Sequence, residues 1–136
     1  MEQTLHKSQY YEILFDENKS LIIHKALPAT STMDSEIFKE EMRIFLEMCE
    51  KHLPEKDLVN LVDMNYSIVP EAQEWVNTEI FPRLLNVIKR MAIVVPVGFF
   101  ESVALEQTMD EEFGRRFIMQ YFDDENKALE WLMYNG

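Results

Sequence analysis

Leu58-Val59-Asn60-Leu61-Val62, running into Asp63-Met64, has the composition of a short strand buried on both faces: apolar at four of its first five positions, with no helical spacing. Met91-Ala92-Ile93-Val94-Val95 is a second run of this kind, closed by Pro96, and Phe117 to Phe122 reads as a final strand. Between the first two lies an amphipathic helix. Pro70 suits its first turn, and Ala72, Trp75, Val76 and Ile80 recur along it. Pro82 has to kink that helix or start a new segment, because it lacks an N–H and crowds the preceding turn. Phe99 to about Glu112 predicts a further helix, and Asp123 a cap for a closing helix with Ala128, Trp131 and Leu132 on one side. Apolar strands that alternate with amphipathic helices call for parallel pairing through right-handed crossovers.

Towards the N-terminus the period changes. Tyr10 to Phe15 and Leu21 to Leu27 flank the polar break Asp16-Glu17-Asn18-Lys19-Ser20, which predicts an antiparallel hairpin. Pro28 to Thr32 interrupts it. Thr32 or Asp34 can then cap a helix in which Phe38, Met42, Phe45 and Cys49 share one face, ending near His52 before Pro54. The order is ββαβαβαβα: one α/β domain over residues 1–136, with a mixed, mostly parallel sheet that opens with an antiparallel hairpin.

Composition limits the function. The 136 residues carry 25 acidic and 13 basic side chains, a net charge of -12, which opposes phosphate neutralisation and so nucleic-acid binding. Membrane insertion is not expected either, because the longest apolar run, Met91 to Phe100, falls far short of the ~20 residues of a spanning helix. Cys49 is the only cysteine, which suits a reducing cytoplasm, and no signal-peptide h-region follows Met1.

Residues with chemical potential are scattered. Cys49 and His52 are three apart on one helix, yet no third metal ligand accompanies them, and Cys49 falls on the apolar stripe; a buried core residue is the preferred reading. His6, His24 and His52 read as surface or strand-edge residues. Asp63 follows the first buried strand, where an acidic residue serves phosphotransfer sites, but the companion acidic pair and lysine are missing. There it is expected to satisfy backbone donors in the turn with Ser67. With three glycines and no GxGxxG, GxxxxGK[ST] or GxSxG, the chain has neither a phosphate cradle nor a nucleophile elbow. Asp110-Glu111-Glu112 and Asp123-Asp124-Glu125 read as solvated helix ends. Phe99 and Phe100 are adjacent, so one narrow stripe cannot bury both; with Val97 they suit an exposed patch, a pocket lining or a dimer face as well as a wide core stripe. No metal and no cofactor is expected.

Ile80-Phe81-Pro82-Arg83-Leu84-Leu85, then Val87 to Pro96, Val103-Ala104-Leu105-Glu106-Gln107 and the tail Tyr121-Phe122-Asp123 to Leu132 follow one another in an order that resembles the STAS-like (anti-sigma-factor-antagonist-like) small bacterial proteins, over about residues 55–134. That resemblance implies an α/β fold whose members mostly bind partner proteins, and in some branches lipids or nucleotides. It makes Ser67 the counterpart of a phosphorylated serine, although the second serine and the glycine of that loop are missing here. The expectation is therefore a non-catalytic, cytoplasmic regulatory or protein-interaction module of bacterial type, with a homodimer as family habit. Asp63, Asn65, Tyr66, Ser67, Val97, Phe99 and Phe100 are its candidate binding surface, and Ser67 its candidate phosphosite. The alternative is a carrier that holds a small apolar ligand or lipid in a pocket lined by Met, Phe and Tyr; the chain has nine Met.

Overall fold

Three antiparallel strands lead into three parallel ones. The computed structural model describes residues 2–99 and 118–134, and every structural statement below concerns these. β1 (Glu2–Lys7), β2 (Tyr11–Asp16) and β3 (Leu21–Ala26) form an antiparallel meander. β4 (Lys56–Asn60), β5 (Arg90–Val94) and β6 (Ile118–Phe122) continue it in parallel, so the six-stranded sheet runs β1-β2-β3-β4-β5-β6. The expected hairpin is β2–β3. β1 corrects the expected order, which had one N-terminal strand fewer. Its polar sequence, EQTLHK, has little apolar alternation because this edge strand is largely exposed.

A sheet wound in sequential order never reverses direction, so crossovers of one hand fall on one face. α1 (Ser35–His52) joins β3 to β4, and the segment α2 (Pro70–Trp75), a π-helical turn (Val76–Ile80) and α3 (Phe81–Leu84) lies between β4 and β5. Phe38, Phe45 and Cys49 of α1 and Val76, Ile80 and Leu84 of the second segment pack together on the face formed by Tyr11, Ile13, Ile22, Met91 and Ile93. The closing helix, α4 (Glu125–Met133), covers the other face: Ala128 and Leu132 pack on Leu21, Ile23, Leu58, Ala92 and Val94. β3, β4 and β5 are thus covered twice, which accounts for their near-continuous apolar runs.

Local chemistry sets the ends. Asp34 caps α1, its carboxylate accepting from the Ile37 N–H at 2.8 Å. Leu53 ends the helix in the left-handed region, one residue before Pro54. The cap of α4 is Asp124 and not Asp123: the Asp124 carboxylate accepts from the N–H groups of Asn126 and Lys127. Pro82 does not bend a regular helix. The chain widens to a π turn over Val76–Ile80 before it, which loosens the hydrogen-bond ladder where the proline has no donor to give. The helix expected from Phe99 to Glu112, Phe100, the 110–112 acidic cluster and the start of the 117–122 strand at Phe117 lie outside the described residues.

Polar links tie the layers. Glu41 is buried and accepts from Ser8 Oγ at 2.8 Å and His6 Nε2 at 3.0 Å, fastening α1 to β1 and its turn. Arg83 pairs bidentately with Glu50 across α1 and α3, and Lys39 meets Glu71 at 2.7 Å between α1 and α2. On the opposite face Asn60 donates to Glu125 at 2.7 Å, holding β4 against the start of α4.

Candidate functional site

The helices α1 and α2–α3 do not close down completely on the sheet. A cavity of about 690 Å³ remains between them, within the roughly 300–1,000 Å³ typical of small-molecule sites. Its floor is the sheet face. Parallel register puts Ile22, Asp57, Met91 and Met119 in one row and His24, Val59, Ile93 and Tyr121 in the next. Phe38, Met42 and Phe45 of α1 form one wall, and Val76, Ile80 and Leu84 the other. The exposed residues among the lining are Ile68, Gln73, Asn77 and Phe99, which mark the mouth near the carboxyl ends of β4 and β5.

Two polar groups stand out in this apolar lining. Asp57 is fully buried, and neither carboxylate oxygen has a hydrogen-bond partner. Desolvation pushes its carboxyl well above the ordinary carboxylate range, so the group favours its neutral form. His24 is buried as well and sits between two rings: stacked on Phe45 at 4.1 Å and tilted against Tyr11 at 4.8 Å. Its Nε2 has no partner, and burial first, then the nearby His6, lowers its pKa to about 3, which keeps the imidazole neutral at physiological pH. Tyr11 donates its hydroxyl to Met64 Sδ at 3.4 Å, and burial together with Glu41 pushes that phenol up.

His24 Nε2 and the Asp57 oxygens do not hydrogen-bond each other, so no base is oriented by an acid in the manner of a nucleophile-activating pair. Cys49 is fully buried, and desolvation above all, with the neighbouring acidic groups Asp57 and Glu50 adding to it, pushes its thiol far up, away from the thiolate that nucleophilic or redox chemistry needs. Among the described residues no cluster of three His, Cys, Asp or Glu side chains could hold a metal, and no helix is long and apolar enough to cross a membrane.

The residues expected from sequence fall around this cavity, mostly outside it. Asp63 and Ser67 are exposed in the loop after β4. Asn65 fastens that loop to the Pro28–Thr32 turn: its N–H donates to Thr30 Oγ1 at 2.8 Å and its side-chain amide to the Pro28 carbonyl. Tyr66 stacks on Phe38 at 5.4 Å and so backs a cavity wall. Val97 is 59% exposed. Among the described members of that set Phe99 alone lines the cavity, at its mouth, and is 53% exposed.

The expectation that the histidines are superficial fails for His24. Leu21 and Ile23 on one side of β3 and Ile22 on the other mark a strand covered on both faces, which leaves a histidine at position 24 no exposed side. Asp57 went unnoticed because Lys56-Asp57 resembles a polar lead-in. β4 in fact begins at Lys56, and Asp57 then shares the inward parity of Val59.

Comparison of the chain with family models, with curated proteins and with solved structures finds no match.

Proposed function

We propose that this protein is a non-catalytic binding protein that carries or senses a small, mainly apolar molecule held between its sheet and the α1/α2–α3 layer. The observation that supports this reading above the others is the 690 Å³ cavity, with its aromatic, Met and aliphatic walls and a few convergent polar groups on its floor. Keeping an apolar cleft of this size open is costly, since its walls forgo packing contacts that interiors otherwise make. An occupant restores those contacts. The STAS-like resemblance agrees with this reading, since the family's lipid-binding branches hold apolar molecules.

A protein-docking role is the second reading. It rests on the exposed Val97, Phe99, Ile68 and Val69 around the mouth, a group of apolar side chains facing solvent. The two readings separate in native mass spectrometry of the untagged protein. A carrier brings an extra mass on the order of a few hundred daltons, the size of a drug-sized ligand, and the emptied protein takes up naphthylethanol. Bare chains, single or paired, that take up none of that probe would sink the carrier reading and leave the docking surface.

A further inference from the structure

The polar groups on the cavity floor are unmatched. Asp57 offers two carboxyl oxygens and His24 the ring nitrogen Nε2; none of the three atoms has a partner within the protein. Both residues line the cavity, and no Lys or Arg lines it with them among the described residues. Buried polar atoms without partners cost free energy until a ligand supplies them. A carboxylate or phosphate ligand would find no cation among these lining residues to offset its charge. An alcohol supplies one donor. An ammonium group supplies three and a positive charge.

The walls favour the same head group. Phe38, Phe45, Phe81 and Phe99 line the cavity with Tyr11 and Tyr121, and ring faces attract cations in a desolvated site. The overall charge of -12 adds a long-range attraction for cations and a repulsion for anions.

We propose that the natural occupant is a hydrophobic amine, its ammonium group held at the floor by the Asp57 carboxyl group and His24 Nε2 and its apolar body lodged among the rings and Met side chains above. The inference rests on the cavity being the ligand site. The ammonium favours the ionised carboxylate, so the carboxyl proton leaves to solvent as the ion pair forms, and no bond to carbon changes.

Three probes with one apolar body and different heads test it: naphthylethylamine, naphthylethanol and naphthylacetic acid, titrated calorimetrically into the full-length chain. The amine is expected to bind at least about tenfold more tightly than the alcohol, and the acid most weakly. In Asp57→Asn, which keeps the shape and removes the charge, amine affinity falls to that of the alcohol while alcohol affinity stays within about threefold. Equal affinity of amine and alcohol for the wild-type protein overturns the amine assignment and leaves the cavity reading standing. An amine preference that survives in a folded Asp57→Asn, checked by far-UV circular dichroism, overturns it too. If none of the three probes binds the wild-type chain, the cavity reading falls as well. The head-group series on the wild-type protein decides the matter even if the variant does not fold.

Discussion

Replacing Asp57 by valine should stabilise the empty protein, and by an amount that grows with pH. Valine has nearly the shape of aspartate and suits a strand covered on both faces. Even with the carboxyl neutral, removing a buried polar group whose oxygens lack partners should recover about 1–3 kcal/mol. Burial raises the folded-state pKa of Asp57 well above its ordinary value of 3.8. Above about pH 4 the unfolded chain therefore gives up a proton that the folded chain retains. Stability conferred by the neutral form is complete below that pH and is lost, at about 1.4 kcal/mol per unit, as the pH rises towards the folded pKa.

His24 has the opposite sign. Its folded pKa is depressed from 6.5 to about 3, so its stabilising contribution is complete above 6.5 and is lost as the pH falls towards 3. Between about pH 4 and 6.5 the two slopes oppose each other in the wild-type protein for as long as the folded Asp57 carboxyl keeps its proton. Each single variant uncovers the other residue. The advantage of Asp57→Val over wild type widens by about 1.4 kcal/mol per unit above pH 4 until the folded carboxyl ionises. The advantage of His24→Phe, a ring that still stacks on Phe45, widens as the pH falls below 6.5 and reaches about 3 kcal/mol from this source at pH 4.5. Neighbouring Cys49 and Tyr11 are pushed up by burial and stay uncharged throughout. Urea unfolding of all three proteins, followed by circular dichroism at several values between pH 4.5 and 8, measures these gaps. A gap for Asp57→Val that is independent of pH, or a variant less stable than wild type, would refute the reasoning, because it would mean that the carboxyl has a partner or water in solution. A saturating amine should reverse the order, since it binds only the folded wild-type site.

Two further expectations concern the opposite face. Leu132 is fully buried against Leu58 and Val94, so Leu132→Ala should cost about 2–5 kcal/mol in urea unfolding; a loss well under 1 would show that α4 is not part of the cooperative core. Asp124→Ala should cost about 1 kcal/mol through loss of the α4 cap. Asp123→Ala, which removes only a 3.7 Å surface pair with Lys127, should cost a few tenths, and the reverse ranking in thermal melts would put the cap back at Asp123.

The expected architecture and the observed one agree where the pattern was strong. The buried strands β4 and β5, the hairpin turn before Leu21, a cap at one of the two candidates Thr32 and Asp34, and the stripe of α1 ending near His52 all follow from local periodicity and capping chemistry. β1 was illegible because an exposed edge strand carries no apolar alternation; its pairing is written in β2, its partner. The choice of Asp124 over Asp123 as cap is a matter of one residue that composition does not resolve.

The site divides in the same way. Phe99 and the loop after β4 were recognisable as residues beyond strand ends, where α/β sheets present their ligands. The cavity itself was not, and with it the order of the two functional readings changes: the carrier alternative moves ahead of the interaction module. His24 and Asp57 lie on separate strands, more than thirty positions apart in the chain, and only parallel pairing of β3 with β4 sets them in adjacent rows under α1. Sequence alone determined which segments had to be buried, because apolar periodicity is a local property of the chain. What stays empty between the buried surfaces, and which polar groups face that space without partners, was decided by tertiary structure, because a void is a property of how two layers fail to meet and belongs to no single segment.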